Sequence, residues 1–164
     1  MGSGINENQL EKRIAEFLGA HHVVTLATSG QGSVHAASVM YAIHGFDLYW
    51  MSDRETRHSK ELERSPGVAA TVSPDYTDFR EIRGLQIKGT AVRLRSDSEV
   101  AHARAMMLQR YAFLRELAGG PEALRRAFEA GSFYRLRPDT ITLIDNTLGF
   151  GNKEVLALRP DPGT

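Results

Sequence analysis

The chain contains no cysteine, which excludes disulfides, thiolate nucleophiles, cysteine-ligated zinc and iron–sulfur clusters together. An excess of charge is missing as well, since 20 Lys and Arg balance 20 Asp and Glu. Nucleic-acid and anionic-membrane binders rely on a basic surface, so neither partner is expected. No apolar run approaches the length of a membrane span, and the opening MGSGINENQ lacks the basic and apolar parts of a signal peptide. The expectation is a cytoplasmic protein with a small-molecule partner, in which residues 1–4 are a remnant of cloning. The six histidines, His21, His22, His35, His44, His58 and His102, form no H-E-x-x-H spacing, and no metal site is expected. G-x-S-x-G, Walker and G-x-G-x-x-G motifs are also absent. With no activated nucleophile in view, any chemistry is expected to come from a bound cofactor.

What remains is ordinary globular material: 164 residues, 41% hydrophobic and 24% charged, enough for one domain over residues 5–164. Leu10, Ile14, Phe17 and Leu18 share a helical face between Asn6 and Gly19, with Asn6 and Gln9 spaced as a capping box. Three β-prone runs follow at 22–29, 33–43 and 46–52, separated by SGQG and HG, which predicts an antiparallel meander. A helix ending at Ser65-Pro66, strands at 67–73 and 82–95, and a polar loop at 74–81 come next. Ser96 and Glu99 cap a predicted helix over 97–118, and Pro121 opens a shorter one that stops at Gly131. Strands within 133–145 close the set, before a turn-rich tail that ends in apolar residues. Six or seven short strands with hairpin connections and few helices predict an antiparallel β-barrel of mainly β, α+β character.

The stretch DRETRHSKELERSP, residues 53–66, breaks a local rule. The start of a helix carries partial positive charge and favours acidic groups, yet Arg54, Arg57, His58 and Lys60 crowd it, among Thr56 and Ser59. Two readings stand. Thr56, the free N–H groups of the first turn, Arg57, Ser59 and Lys60 converge on an anion such as a phosphate monoester; or the helix is simply solvated, with Arg57 and Glu61 as an i,i+4 surface pair. Beside it, Val39, Met40 and Tyr41 on one strand and Tyr49, Trp50 and Met51 on another form either an apolar wall for a planar ring or the core of a hairpin. Ser52 brings the end of that hairpin next to the cations. Farther on, Arg80, Arg83, Gln86 and Lys88 mark either an exposed strand face or a second edge of the same ligand site.

The order of hairpin, DRETRHSKELERSPGVAATV and LQIKGTAVRL resembles the FMN-binding split-barrel family of the pyridoxamine 5′-phosphate oxidase type, from about residue 8 to 95 and more loosely through 133–145. The resemblance implies an antiparallel split β-barrel and a homodimer with FMN at the subunit interface. It implies phosphate contacts from Ser52, Thr56 and Arg57, with His58 where many relatives carry Lys, and Ser59 and Lys60 beside them. Val39, Met40 and Tyr41 match the strand along the flavin ring, Gln86 lies near the strand at its other edge, and the 146–151 tail is the candidate contribution from the opposite subunit. The basic, tyrosine-containing substrate segment and the R-x-H pair of true pyridoxamine phosphate oxidases are replaced here by RAMMLQRYAFLREL and LGFGNKEVLAL, so vitamin B6 oxidation is not implied. The expected function is therefore an FMN-dependent oxidoreductase acting on a small molecule by hydride or electron transfer. No acid or base is assigned; Tyr41 and His35 are candidates. The alternatives are a non-catalytic flavin or haem binder and a cofactor-free structural dimer.

Overall fold

A computed structural model describes residues 6–159; the expected cloning remnant, residues 1–4, lies outside them. Helix α1 (Glu7–Ala20) starts as its sequence dictates. The Asn6 side chain accepts from the Asn8 N–H at 3.1 Å, the Asn6 N–H donates to Gln9 Oε1 at 3.3 Å, and Leu10, Ile14, Phe17 and Leu18 form the buried face. Strands β1 (Val23–Gly30) and β2 (Ser33–Met40) pair through a two-residue loop, Gln31-Gly32. Both loop residues have positive φ, 51° and 77°, the geometry that matches a right-handed strand twist and that Gly32 adopts without a Cβ penalty.

The predicted run 33–43 is not one strand. It breaks at Tyr41, and the short β3 (Ala42–His44) pairs instead with β4 (Asp47–Ser52). After α2 (Arg57–Arg64) come β5 (Gly67–Val72) and β6 (Arg83–Arg93). The predicted helix 97–118 is also broken: α3 (Asp97–Arg110) and α4 (Ala112–Ala118) flank Tyr111, whose backbone is extended. Helix α5 (Glu122–Ala130), β7 (Ser132–Asp145) and β8 (Lys153–Ala157) complete the described chain. β8 lies in the tail where no strand was expected, bringing the total among the described residues to eight.

These strands form one antiparallel sheet in the order β2-β1-β5-β6-β7-β4-β3, with β8 also on β7. β2 and β3 lie at opposite ends of that order, yet only Tyr41 separates them in sequence. The sheet therefore has to curl until its ends meet, which is the split barrel the sequence predicts and which replaces a simple meander. Tyr41 pins the junction. Its N–H donates to the His22 carbonyl at 3.1 Å, its hydroxyl donates to the Leu18 carbonyl at 2.9 Å, and its carbonyl accepts from the Tyr111 hydroxyl. The break in α3–α4 is explained by the same contact, because Tyr111 leaves the helix to reach Tyr41.

Alternation along the strands creates two cores. Inside the barrel, Val24, Leu26, Leu48, Trp50, Leu85, Ile87 and Leu136 pack with the apolar face of α1 and with Leu62 of α2. Outside it, Ala42, Tyr49 and Phe133 on β3, β4 and β7 are covered by Ala103, Met107, Tyr111, Leu114 and Phe128 of the α3–α5 region. At Gly89 an added Cβ would meet the Arg137 carbonyl at 2.3 Å, and the β6–β7 register shifts there opposite Pro138. A strand-interior proline, which has no N–H for the ladder, is thus accommodated at an irregularity. None of the described helices is long and apolar enough to cross a membrane.

Candidate functional site

Helix α2 is short and carries its polar residues on the wrong side. Its buried face consists of His58, Ser59, Glu61 and Leu62, only one of them apolar. The N-cap Thr56 makes no side-chain bond to the helix backbone, so the first-turn N–H groups are left to other acceptors. Instead Thr56 Oγ1 donates to the Asp53 carbonyl at 2.8 Å and sits 2.8 Å from Ser59 Oγ and 3.2 Å from His58 Nε2. The same ring nitrogen lies 2.9 Å from Ser52 Oγ at the end of β4. One imidazole and three hydroxyls thus converge at an uncapped helix start.

The cations beside this cluster are partly spent. Arg57 Nε donates to Glu61 Oε1 at 2.8 Å and its Nη2 to Ser33 Oγ at 2.7 Å, while Lys60 pairs with Glu55 at 2.9 Å. The i,i+4 pair foreseen for a solvated helix therefore exists, but its acid is not a surface group. Glu61 is 9% exposed and its Oε2 accepts from the buried Thr28 hydroxyl at 2.6 Å. The hydrogen bond from Thr28, followed by that from Arg57, holds this carboxyl below the usual carboxylate range, so it is ionised at neutral pH. His58 moves in the sense that keeps it uncharged: burial, then the neighbouring His35, lowers its pKa, against a smaller opposing effect of Glu61. The His35 and His58 rings are nearly parallel, 4° apart in plane, with centroids 6.5 Å apart.

A cleft of about 490 Å³ opens between this helix and the β1–β2 turn, lined by Arg57, Lys60 and Arg64 with the carboxylates Glu55 and Glu61 on one side and Gly30, Gln31 and Ser33 on the other. Three cations and two carboxylates meet there, with Arg57 paired to Glu61 and Lys60 to Glu55. A cavity of this size takes a small-molecule group, and an anion there would draw on Arg64 and on whatever Arg57 and Lys60 release from their pairs.

Of the residues singled out in the sequence, Ser52, Thr56, His58 and Ser59 come together here, and Arg57 and Lys60 line the adjoining cleft. Val39 is half-buried on the face of β2 that carries His35, whereas Met40 is exposed on the other face. Tyr41 is fully buried, and all its polar atoms are engaged as described above. Burial also holds its phenol well above the ordinary range, offset in part by Arg110, which removes it as an acid–base candidate. Gln86 is not in the cluster; it is exposed on the outer face of β6, between Thr71 and Thr142. Thr28 and Ser33 were missed, and Glu61 was foreseen only as a surface partner of Arg57. Thr28 had a signal, because it is the polar member of the inward series Val24, Leu26, Thr28.

Comparisons with known proteins agree with this architecture. The family profile described as "Pyridoxamine 5'-phosphate oxidase" matches residues 10–144. A UPF0306 protein of Klebsiella pneumoniae is 33% identical over 153 residues, covering 92% of this chain and 93% of that protein. Among solved structures, a haem-binding protein from Mycobacterium smegmatis superposes with a TM-score of 0.70 at 21% identity, over 93% of this chain and 58% of that one. An FAD-binding protein from Mesorhizobium loti gives a TM-score of 0.61 at 18% identity, over 79% of this chain and 90% of that one. At such identities the two structures establish the shared fold alone, while the profile match spans most of the chain. The chain belongs to the pyridoxamine 5′-phosphate oxidase family.

Proposed function

We propose that the protein is an FMN-binding flavoprotein, a homodimer with its cofactor at the subunit interface, that serves as an oxidoreductase for a small molecule. The observation that carries this reading is the convergence of Ser52, Thr56, His58 and Ser59 on an uncapped helix start beside Arg57. That donor set fits a phosphate monoester, which takes charge-assisted bonds from a guanidinium and from backbone N–H groups. In this reading Ser52, Thr56, Arg57, His58, Ser59 and Lys60 hold the phosphate, and β2 near Val39, Met40 and Tyr41 runs along the ring. Bound FMN would supply hydride or electron transfer; the chain's own residues would hold the phosphate, and Glu61 and Ser33 keep Arg57 in place.

The homodimer is supported by what the monomer leaves bare. The outer face across β2, β1, β5 and β6 carries Ala36, Ala27, Ala69 and the exposed Lys88 in one row and Ser38, Thr25, Thr71 and Gln86 in the next, a surface of small side chains with a single cation at its β6 end, of the kind that buries against another subunit. Gln86, remote from its own subunit's cluster, is then placed to meet the ligand of the second copy.

A haem-binding reading is favoured by the haem-binding protein from Mycobacterium smegmatis and by the exposed His44 and His102, whose rings meet edge-on at 5.1 Å. The absorption spectrum of the purified protein separates the two: flavin bands support the first reading and a Soret band the second. Titration with FMN then tests the site. Arg57→Ala is expected to weaken FMN binding roughly ten- to a hundredfold, the loss of a charge-assisted hydrogen bond, whereas unchanged affinity removes Arg57 from the site. Rapid reduction of the bound flavin by NADH or NADPH would support the oxidoreductase over a flavin sensor.

A further inference from the structure

His58 is 7% exposed, sits in the first turn of α2, and presents Nε2 to the Ser52 and Thr56 hydroxyls at 2.9 and 3.2 Å. The Thr56 proton goes to the Asp53 carbonyl, but the Ser52 hydroxyl can donate to a bare Nε2 or accept from a protonated one, so the hydrogen-bond network tolerates either protonation state of the ring. The charged and titratable groups around it are few. His35 of β2 faces it across parallel rings, and on its own helix Glu61 is already committed to Arg57 and Thr28. β4 contributes the uncharged Ser52 and β1 the uncharged Thr28. From β7, the Tyr134 phenol is turned toward Ser59, and from β6, Arg93 is paired with Glu63. No carboxylate bonds to the imidazole among the described residues; the ionised Glu61 acts on it only through space, its oxygens being held by Arg57 and Thr28.

We propose, resting on the phosphate reading above, that His58 is the proton-accepting member of the anion site: a phosphate monoester dianion binds together with one proton, taken from solvent onto the His58 ring. Burial and His35 keep the ring neutral while the site is empty. A dianion at hydrogen-bond distance reverses that preference, because an opposite charge favours the imidazolium. The proton then sits on Nε2, the ring donates to the phosphate or to Ser52, and the second negative charge is balanced without a permanent cation in the buried cluster. Occupancy accordingly depends on pH. Between the His58 pKa values of the empty and the filled site, affinity falls about tenfold for each unit of rising pH, the slope for uptake of one proton. The site therefore favours a phosphorylated ligand over its dephosphorylated form most strongly on the acid side of that window.

Calorimetric titration of the full chain with FMN at pH 7.5, where the phosphate is fully dianionic, in two buffers of different ionisation heat measures the protons taken up. The expected result is uptake of up to about one proton per FMN, none with riboflavin, and a Kd for FMN that rises between pH 7 and 8.5. His58→Gln should abolish the uptake and flatten the pH profile. His35→Gln should retain the uptake and guards against a His58 variant that fails to fold. FMN binding to the wild type with no proton uptake, or uptake that survives in His58→Gln or disappears in His35→Gln, overturns the proposal while leaving the FMN reading intact. Failure of both FMN and inorganic phosphate to bind at any pH overturns both.

Discussion

The outer face of the sheet is built in two ways. Across β3, β4 and β7 it presents Ala42, Tyr49 and Phe133, and three helices cover them. Across β2, β1, β5 and β6 it presents mostly Ala, Ser and Thr, with Gln86 and Lys88 on β6 and Val34 80% exposed at the edge, and no described helix covers them. Large aromatic side chains demand burial, since each removes a large apolar area from water. Small side chains demand nothing by themselves, and they keep the backbone of this half close to its surface. One half of this face thus serves stability within the chain, and the other is the half on which the proposed dimer would pack.

The largest expected effect lies on the covered half. Phe133→Ala should cost about 3–5 kcal/mol in urea unfolding, because the ring is almost fully buried between sheet and helices; a loss below about 1 kcal/mol would mean that α3–α5 are a loose cover. On the bare half, Ala27→Arg should change the stability of the isolated chain by no more than about 0.5 kcal/mol, as exposed substitutions do. In a dimer packed on this face it should shift the sedimenting species to monomer. A wild-type monomer, or a variant that remains dimeric, would remove the bare half from assembly.

Two smaller effects probe the α2 cluster. Thr28→Val retains shape but removes the hydroxyl that bonds the ionised Glu61, so it should lower the melting temperature less than Phe133→Ala does. Its penalty should disappear at low pH: the folded-state carboxyl titrates below its unfolded value of 4.5, so its stabilisation is present above that value and lost as pH falls through the lowered pKa. The smallest effect concerns His58 in the ligand-free protein. Its folded pKa lies below the unfolded 6.5, so the unfolded chain binds the proton first. Stability from the neutral ring is present above pH 6.5 and is lost as pH falls through the folded pKa. His58→Gln should flatten the thermal-stability profile in that interval, and an unchanged profile would show that the ring titrates alike in both states.

Much of the fold was legible because its signals are local. The Asn6–Gln9 box, the Gln31-Gly32 turn and the Ser96 cap are each decided within four residues of chain. The cluster at Ser52, Thr56, Arg57, His58 and Ser59 was legible for the same reason, since eight residues of sequence hold all of it. Tyr41 was not. Its β-prone neighbours favour one continuous strand, and only the distant partners Leu18, His22 and Tyr111 make a break there favourable. β8 escaped for a related reason: its five residues pair only because β7 offers an edge.

By itself, the sequence determined where most elements begin, which faces are apolar, and that the start of α2 concentrates cations and hydroxyls. These depend on hydrogen bonds and side-chain periods spanning a few residues. The tertiary structure alone decided that 33–43 divides between opposite ends of one sheet, that Glu61 is a buried partner of Thr28 rather than a surface acid, and that Gln86 faces away from its own subunit's cluster. Each of those depends on groups far apart in the chain. Their contacts form only after curling of the sheet has offset the entropy of bringing them together.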